Sequence, residues 1–406
     1  MIIIKNALTA AGTRHDFQIQ SDEQRSIDAD RCLALPGLID PHVHFRTPGQ
    51  EHKEDWRTAS RAAIAGGYTM VMDMPNVIPA TVTAMRLVDK KAIIDQQLTE
   101  AGIPLRYHLY FGADKLHFDQ LHLVKDQVIG VKVFMGSSTG DLLMDDDSSL
   151  HALFALAGRL DLLVAIHAED ECGIQERRKL FPEADFNNHS RIRSPEVAAK
   201  AVAKVIELSR LYKVRVYILH MSTSQELELI RAAKTEGLPI YAECCPHHLF
   251  LDDTAYARMQ GRAQMNPPLR DRSQCMALWK GISDGTIDTI GSDHAPHTVA
   301  EKSQGYGKCP SGVPGIQTTL PLLLNAHHHG LLSLPKLVQL TSSNAQKIFK
   351  LPVNQDLVLV DLNLQRVVED AAMYSKCGWS PYAGMKLKGW PLYTIVQGKV
   401  FDLAKL

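Results

Sequence analysis

Eight short apolar runs, separated by segments of helical periodicity, constrain this chain more than any other feature of its sequence. The runs are 36–45, 68–75, 105–111, 129–135, 162–168, 214–221, 239–246 and 288–295. Continuous apolar runs of this length are typical of parallel strands that are buried on both faces. Between them, apolar residues recur with helical spacing at 55–65, 86–98, 194–212 and 224–236. This alternation predicts an α/β fold, a (β/α)8 TIM-like barrel.

The two ends of the chain lack the alternation of strand-like and helix-like segments that is seen in its middle. Residues 1–35 and 352–406 consist of short strand-like pieces with polar turns, and neither stretch is long enough to bury a core alone. We therefore expect one small β-domain formed from residues 1–35 and 352–406. The barrel domain would then span residues 36–351.

Charge and composition exclude several classes of function. The 406 residues carry a net charge of −1, so we expect no nucleic-acid partner and no binding to an acidic membrane surface. No stretch approaches the roughly 18 uninterrupted apolar residues of a transmembrane helix, and the N-terminus does not resemble a signal peptide. The seven cysteines lack Cys-x-x-Cys spacing, which favours reduced thiols and a cytoplasmic location.

The first apolar run ends in a His-x-His pair followed by an arginine. Alternate residues of a strand share a face, so the side chains of His42, His44 and Arg46 are predicted to point the same way. Two imidazoles placed in this way can bind one metal ion. The neighbouring guanidinium suits a substrate that carries a carboxylate. A His-x-His pair alone is also compatible with incidental histidines, so the other strand ends decide between these readings.

Polar side chains also stand at the carboxyl ends of other predicted strands, where the chemistry of such barrels takes place. They are Asn76, His167, His220, Asp293, His294 and His297. Lys132 lies inside the fourth apolar run, where an unpaired ammonium costs several kcal/mol. It either forms a buried ion pair or takes up carbon dioxide and becomes a carbamate that bridges two cations. Four histidines, one convertible lysine and one aspartate at one barrel mouth fit a two-metal site.

Two longer motifs resemble the signatures of the amidohydrolase superfamily and, within it, of the dihydroorotases. The first is residues 40–48, and the second is residues 291–297 followed by Lys302. Other segments similar to that family are 51–55, 66–69, 74–76, 245–249, 266–270 and 310–315. The resemblance covers nearly the whole chain, including the composite β-domain.

The resemblance implies zinc as the cofactor, with two Zn2+ ions in each chain. The implied ligands are His42, His44, Lys132, His167, His220 and Asp293. Of these, His42, His44 and Asp293 would bind the more buried ion, and the other two histidines would bind the second. The lysine, carbamylated, would bridge the two ions.

The implied activity is the reversible hydrolysis of the small molecule (S)-dihydroorotate to N-carbamoyl-L-aspartate. Its reverse closes the ring in pyrimidine (UMP) biosynthesis. Asp293 would act as general base and then as general acid. Arg46, Asn76 and His297 would hold the substrate's carboxylate, and Asn266 would contact its ring. The resemblance also implies a homodimer.

Two acidic residues near the implied ligands have alternative roles. Some dihydroorotases use an aspartate after the fourth strand in place of the carbamylated lysine, and Asp141 occupies such a position here. The spacing of 35 residues from Lys132 to His167 resembles that of the lysine-bridged members of the family, so the resemblance favours the lysine. Glu169 either caps the next helix or orients His167 as its hydrogen-bond partner.

The seventh apolar run ends in two cysteines, which are soon followed by two histidines. On a strand the side chains of Cys244 and Cys245 diverge, and we assign both to packing. We assign His247 and His248 to packing or to the shape of the barrel mouth.

Two other functions fit part of the pattern. Allantoinases and hydantoinases would keep the metal ligands, although allantoinases typically have an asparagine where this chain has Arg46. Some related chains have lost metal ligands and serve as scaffolds in complexes with other proteins. All the expected ligands are present here, which argues against a purely structural role.

Overall fold

The computed structural model of the protein describes residues 1–137, 142–182 and 185–406. Its strands form two separate sheets, one from the middle of the chain and one from the two ends. In chain order the strands are β1 Ile2–Thr9, β2 Arg14–Ile19, β3 Arg25–Asp28, β4 Leu33–Pro36, β5 Leu38–Val43, β6 Tyr68–Asp73, β7 Arg106–Gly112, β8 Gly130–Phe134, β9 Val164–His167, β10 Val216–Ile218, β11 Ile240–Cys244, β12 Thr289–Ile290, β13 Leu357–Val367, β14 Lys386–Val396 and β15 Lys399–Asp402.

Helices connect most of the barrel strands. They are α1 Trp56–Ala65, α2 Ala84–Ala101, α3 Leu121–Val124, α4 Asp147–Arg159, α5 Glu171–Lys179, α6 His189–Ile192, α7 Pro195–Tyr212, α8 Ser224–Thr235, α9 Pro246–Phe250, α10 Ala255–Met259, α11 Arg272–Asp284, α12 Val299–Lys302, α13 Thr319–His328, α14 Leu334–Val338 and α15 Asn344–Ile348. Short 3-10 turns lie at Phe118–Gln120, Phe186–Asn188, Gln260–Ala263 and Asp370–Ala372, and a π-helical turn lies at Gln339–Ser343.

Strands β5 to β12 form an eight-stranded parallel sheet whose spatial order is the order of the chain. A parallel backbone bridge between Val43 and His294 joins the first strand to the segment after the last, and the His44 N–H donates to the His294 carbonyl at 2.8 Å. The sheet is therefore a nearly closed barrel. All eight apolar runs contribute its strands, so the prediction of a (β/α)8 barrel is confirmed.

Two of these strands end well before their apolar runs do. The sixth barrel strand covers Val216–Ile218, and the eighth covers only Thr289–Ile290. In both cases a polar residue shortly after the strand has a positive φ, 38° at His220 and 45° at Asp293. A positive φ lies outside the β region, so the chain leaves the sheet before these side chains. The polar ends of the runs thus belong to the barrel mouth.

The first two barrel helices begin at capped residues. The Asp55 side chain accepts hydrogen bonds from the backbone N–H groups of Arg57 and Thr58, which satisfies donors that lack a partner in the first turn of α1. Thr83 caps α2 in the same way. Helix α2 then runs past the predicted boundary until Gly102, whose φ of 65° ends it.

The second sheet joins the two ends of the chain, as predicted. Its strand order is β15-β14-β13-β4-β1-β2, with β3 beside β1. Strand β13, from the C-terminal part of the chain, pairs antiparallel with β4, from the N-terminal part. The hydrogen bonds between these two strands join the two parts in one sheet. The sheet is fastened to the barrel by a hydrogen bond from Thr394 Oγ1 to the Ile64 carbonyl (2.7 Å) and by an ion pair of Arg106 with Asp356 (2.9 Å). The division into domains at residues 35/36 and 351/352 stays a prediction.

Apolar side chains fill the barrel on both faces of its strands. One buried cluster packs the strands against the surrounding helices. Another contains Ile39, Met70, Tyr110 and Tyr217 together with Phe349, which follows α15. Polar side chains are concentrated at the carboxyl ends of the strands. Among the helices of the described residues, none combines the length and the apolar composition that a membrane span requires.

Candidate active site

A cleft at the carboxyl ends of the barrel strands collects nine of the ten residues predicted for the site. It is lined by His42, His44, Arg46, Asn76, Lys132, Phe134, His167, His220, Asn266, Asp293, Ala295, Ser311 and Gly312. A larger and more open groove lies at the amino ends of β6 and β7. Within the described ranges, every cluster of three possible metal ligands contains His42 or Cys245 and none belongs to that groove. The cleft, and not the groove, is therefore the candidate active site.

The first two histidines and the last aspartate converge on one point. The Nε2 atoms of His42 and His44 each lie 3.2 Å from Oδ1 of Asp293. Their Nδ1 atoms are hydrogen-bonded elsewhere, His42 to Oε1 of Glu243 (2.8 Å) and His44 to Oδ1 of Asn76 (2.9 Å). Because a carboxylate or amide oxygen accepts a hydrogen bond from Nδ1–H, the proton of each ring stays on Nδ1 and each Nε2 keeps its lone pair free to bind a metal. Burial also lowers the pKa of His42 to about 3 and so keeps its ring neutral.

A second pair of histidines lies beside this group. Nδ1 of His167 is 3.0 Å from Nε2 of His220, and the ring centroids of His220 and His42 are 5.3 Å apart. Nε2 of His167 lies 2.9 Å from Oε2 of Glu169, so Glu169 orients this ring as predicted, while its neighbour Asp170 caps α5. The two pairs of histidines thus form one continuous cluster.

Glu169 is itself held by an arginine that the sequence did not single out. Arg193 forms a buried ion pair with Glu169 through Nη1 and donates to the Ser137 carbonyl through Nη2. Burial opposes ionisation of Glu169. The charge of Arg193 and the hydrogen bond to His167 outweigh burial, and they lower the pKa of Glu169 to about 2. The carboxylate that orients His167 therefore stays ionised.

Lys132 lines the same cleft as the two pairs of histidines and is fully buried on β8. Within the described ranges its Nζ has no hydrogen-bond partner, and it lies 4.4 Å from the centre of the Phe134 ring. Burial lowers the pKa of Lys132 to about 7, so much of the amine is neutral near neutral pH and able to react with carbon dioxide. The alternative residue, Asp141, lies outside the described residues.

The donor atoms fit divalent metal ions. Nδ1 of His220 is buried without a hydrogen-bond partner among the described residues, as is Nζ of Lys132. Buried polar atoms in proteins are nearly always partnered, so two such atoms at one cluster indicate a missing ligand. Neutral imidazoles and carboxylate oxygens are the ligands that zinc binds.

Arg46 lies next to the histidines, and its backbone has a φ of 64°. Its Nε donates to the Pro296 carbonyl at 3.1 Å, and its Nη2 lies 3.1 Å from Nε2 of His297. No carboxylate of the described residues lies within ion-pair distance of it. Burial lowers the pKa of Arg46 to about 10, so it is still charged at neutral pH. The cleft therefore contains a fixed cation that can take an anionic partner.

The remaining predicted residues occupy two loops beside Arg46. His297 does not line the cleft; it is buried with Nδ1 3.2 Å from the Lys53 ammonium and Nε2 3.1 Å from the Ser311 carbonyl. The Lys53 ammonium and the Arg46 guanidinium can only donate and the Ser311 carbonyl can only accept, so Nε2 of His297 either accepts from Arg46 or donates to Ser311, depending on the tautomer. Asn266 Oδ1 lies 3.1 Å from the Ser311 Oγ and 3.0 Å from Nε2 of His189.

Sequence reasoning missed several groups that hold the site in place. Glu243, on β11, contacts His42, the Tyr217 hydroxyl (2.9 Å) and the backbone N–H of His220. A signal for it was available, because an acidic residue inside an apolar run is as unusual as Lys132 in its run. Lys53 carries no comparable signal, since it lies in a polar segment.

This chain is similar in sequence and in fold to known proteins whose descriptions name amide-hydrolysing enzymes. A family model described as "Amidohydrolase family" matches residues 33–401. The chain is 36% identical to the dihydroorotase of Methanosarcina acetivorans over 98% of its own length and 87% of the relative. It is 35% identical to the dihydroorotase of Halobacterium salinarum, covering 98% and 96%. The solved L-hydantoinase (dihydropyrimidinase) from Arthrobacter aurescens superposes with a TM-score of 0.92 at 26% identity, covering 99% of this chain and 96% of that one.

Proposed function

The chain belongs to the amidohydrolase family, and from that premise we propose that this cyclic-amide hydrolase is a dihydroorotase. It would interconvert (S)-dihydroorotate and N-carbamoyl-L-aspartate, the ring-closing step of pyrimidine biosynthesis. The observation that carries the proposal is the position of Arg46. This buried guanidinium lies in the same cleft as the histidine cluster and has no carboxylate partner among the described residues. A cyclic amide that bears a carboxylate would supply that partner.

The family is metal-dependent, and we propose two Zn2+ ions per chain held by His42, His44, Lys132, His167, His220 and Asp293. When bound, the ions would supply Lewis acidity and lower the pKa of water in the cleft. Lys132 would contribute as a carbamate, in which its Nζ is bonded to the carbon of carbon dioxide after loss of one proton. The buried, unpartnered Nζ supports this assignment.

Substrate orientation would depend on Arg46. A guanidinium can meet a carboxylate with two parallel hydrogen bonds, so it fixes both the charge and the orientation of the ring. Asn76 accepts a hydrogen bond from His44 through its Oδ1 and lines the same cleft, and it would hold the carboxylate together with Arg46. Asn266 and Ser311 also line the cleft, and Asn266 would contact the ring of the substrate. His297, behind Arg46, would act on the carboxylate together with the guanidinium that it contacts.

Proton transfer would be the task of Asp293. Its Oδ1 is the point on which the Nε2 atoms of His42 and His44 converge, which supports a place for this carboxylate beside the proposed metal and its water. It would accept a proton from the attacking water and return it to the amide nitrogen as the ring opens. Ring closure would reverse these transfers.

A steady-state assay on metal-analysed protein tests the proposal. The substrates would be dihydroorotate, N-carbamoyl-L-aspartate, hydantoin, dihydrouracil and allantoin, measured side by side. We expect turnover of dihydroorotate and of carbamoyl-aspartate, and at most weak turnover of the ring amides that lack a carboxylate. Faster hydrolysis of hydantoin or dihydrouracil than of dihydroorotate would assign the chain to the hydantoinase branch instead.

Intact-mass measurement under non-denaturing conditions tests the bridging residue. We expect the metal-loaded chain to carry one carbon dioxide adduct, which acid treatment and Lys132→Met both remove. An active, metal-loaded chain without the adduct would move the bridge to another carboxylate, with Asp141 as the first candidate.

We also propose that the enzyme is a homodimer located in the cytoplasm. The dihydroorotase resemblance and the absence of Cys-x-x-Cys spacing support these assignments. Light scattering on the purified chain tests the dimer, which would have twice the mass of the 45.1 kDa chain.

A further inference from the structure

A second group of metal-binding side chains lies next to the cleft, at the start of α9. It consists of Cys245, His247 and His248, and one donor atom from each lies within 4.8 Å of the others. All three residues are buried, with no more than 2% of their surface exposed. None of them lines the cleft, and none has a part in the reaction proposed above.

The hydrogen bonds of the two histidines leave their ring nitrogens poorly satisfied. Neither nitrogen of His247 has a partner within the described ranges. His248 donates from Nε2 to the Pro267 carbonyl at 3.0 Å, so its Nδ1 keeps a lone pair, and that atom has no partner either. The two ring centroids lie 4.3 Å apart. Buried ring nitrogens are normally hydrogen-bonded, so three unpartnered ones in a single cluster indicate a ligand.

The third donor is a thiol at the same point. Cys245 Sγ lies 3.9 Å from Oε1 of Glu243, and Cys245 also forms a possible ligand group with Glu243 and His42. That second grouping is already used, because His42 directs Nδ1 to Glu243 and Nε2 to Asp293. Among the described residues, neither nitrogen of His247 has such a competing partner, and Nδ1 of His248 has none either. The free donors therefore favour the grouping of Cys245 with these two histidines.

We propose that Cys245, His247 and His248 bind a third metal ion, distinct from the two in the cleft. One thiolate and two neutral imidazoles suit zinc or another divalent ion with affinity for sulfur. On binding, the thiol loses its proton to solvent and the sulfur–metal bond forms, with no change in oxidation state. Through His248 and its bond to Pro267, the ion would tie the end of β11 to the loop that carries Asn266.

Cobalt substitution tests this proposal directly. The metal-stripped full-length chain is reconstituted with Co2+ and examined by absorption spectroscopy and by metal analysis. A thiolate bound to Co2+ gives a charge-transfer band in the near ultraviolet, whereas the ligands of the cleft are nitrogen and oxygen atoms and give none. We expect this band, with three Co2+ ions per chain, in the wild type.

Variants then assign the band to a site. Cys245→Ser should abolish the band and lower the metal content from three ions to two, and His247→Gln should weaken or abolish it. Cys244→Ser is the matched control, because this neighbouring buried cysteine lies outside the cluster, and it should keep the band. A wild-type chain without the band would overturn the proposal even if a variant fails to fold. So would a band that survives in Cys245→Ser or that is unchanged in His247→Gln.

Discussion

Nδ1 of His42 lies 2.8 Å from Oε1 of Glu243, a carboxylate that follows 201 residues later in the chain. The same carboxylate accepts hydrogen bonds from the Tyr217 hydroxyl and from the backbone N–H of His220. Glu243 thereby fixes the tautomer and rotation of one proposed ligand and the backbone of another. A partner of this kind raises metal affinity by holding the ligand ring in the orientation that binding requires.

Glu243→Ala should therefore weaken metal binding by about 10–100-fold while leaving all proposed ligands in the chain. Competition with a chelator of known affinity measures the change. Tyr217→Phe removes one bond to the same carboxylate without freeing His42, so it should have a smaller effect. Equal metal affinity in Glu243→Ala and the wild type would show that His42 is oriented by other contacts.

Arg46→Ala should lower kcat/KM for dihydroorotate without changing the metal content. Two charge-assisted hydrogen bonds to the substrate would be lost, together worth about 3 kcal/mol or more, which corresponds to about a 100-fold decrease. Steady-state kinetics and metal analysis of the same sample measure both quantities. Arg57→Ala is a suitable control, because Arg57 is a half-exposed arginine at the start of α1. Loss of metal from Arg46→Ala would mean that Arg46 supports the ligands rather than the substrate.

Asp293→Asn should bind dihydroorotate but turn it over about 10²–10⁴-fold more slowly, since the amide cannot accept the proton. Binding is measured by calorimetry, and turnover is measured at saturating substrate. The amide oxygen can still act as a metal ligand, so metal analysis accompanies both experiments. Turnover near the wild-type rate with metal retained would transfer the role of general base to another group.

Arg193→Met should destabilise the fold by about 3–5 kcal/mol, because it leaves the buried carboxylate of Glu169 without its cation. Chemical denaturation measures the loss. Arg210→Met, which breaks a half-exposed ion pair with Glu236, should cost no more than about 1 kcal/mol. Similar losses in the two variants would show that Glu169 finds another partner or takes up a proton.

Lys302 makes the stability of the protein depend on pH. Its buried Nζ donates to the carbonyls of Gln264 (2.9 Å) and Pro310 (2.8 Å), and burial lowers the pKa of Lys302 to about 7. The unfolded chain keeps this proton up to the ordinary pKa of 10.5, whereas the folded chain releases it near pH 7. Because the unfolded state binds more protons in this window, the contribution of Lys302 to the free energy of unfolding rises with pH, by at most about 1.4 kcal/mol per unit.

Lys302→Met should flatten that rise. Denaturant midpoints at about pH 7 and about pH 9.5 give the slope for each protein. Lys350→Met, at an exposed lysine, should leave the slope of the wild type unchanged. If Lys302→Met has the same slope as the wild type, Lys302 is charged in the folded protein.

The barrel could be predicted from the sequence because its signals are local. Each buried strand is a short apolar run, and the residues that follow a strand stand at the same end of the barrel whatever the packing of the helices. His42, Lys132 and His220 could thus be placed at one mouth before any contact was known. The residues at which β10 and β12 end could not be predicted in this way. Each strand ends shortly before a residue with a positive φ, His220 or Asp293, and neither residue type indicates such a backbone conformation.

The support around the site could be predicted only where it is close in sequence. Glu169 stands two residues after His167, so its contact with that ring could be anticipated. Glu243 meets His42 across the barrel, and Arg193 reaches Glu169 from the segment before α7, so these contacts depend on the whole fold. His297 was expected to contact the substrate. In the structure it contacts Arg46 but does not line the cleft, so its role stays a prediction.

The seam between Val43 and His294 has a consequence for the order of events during synthesis. The barrel strand β5, with the two histidines at its carboxyl end, leaves the ribosome well before the aspartate that completes their cluster, Asp293. Until the eighth strand has emerged and paired along this seam, a nascent chain exposes its histidines without the carboxylate or the closed wall beside them. Tight metal capture would thus coincide with closure of the barrel.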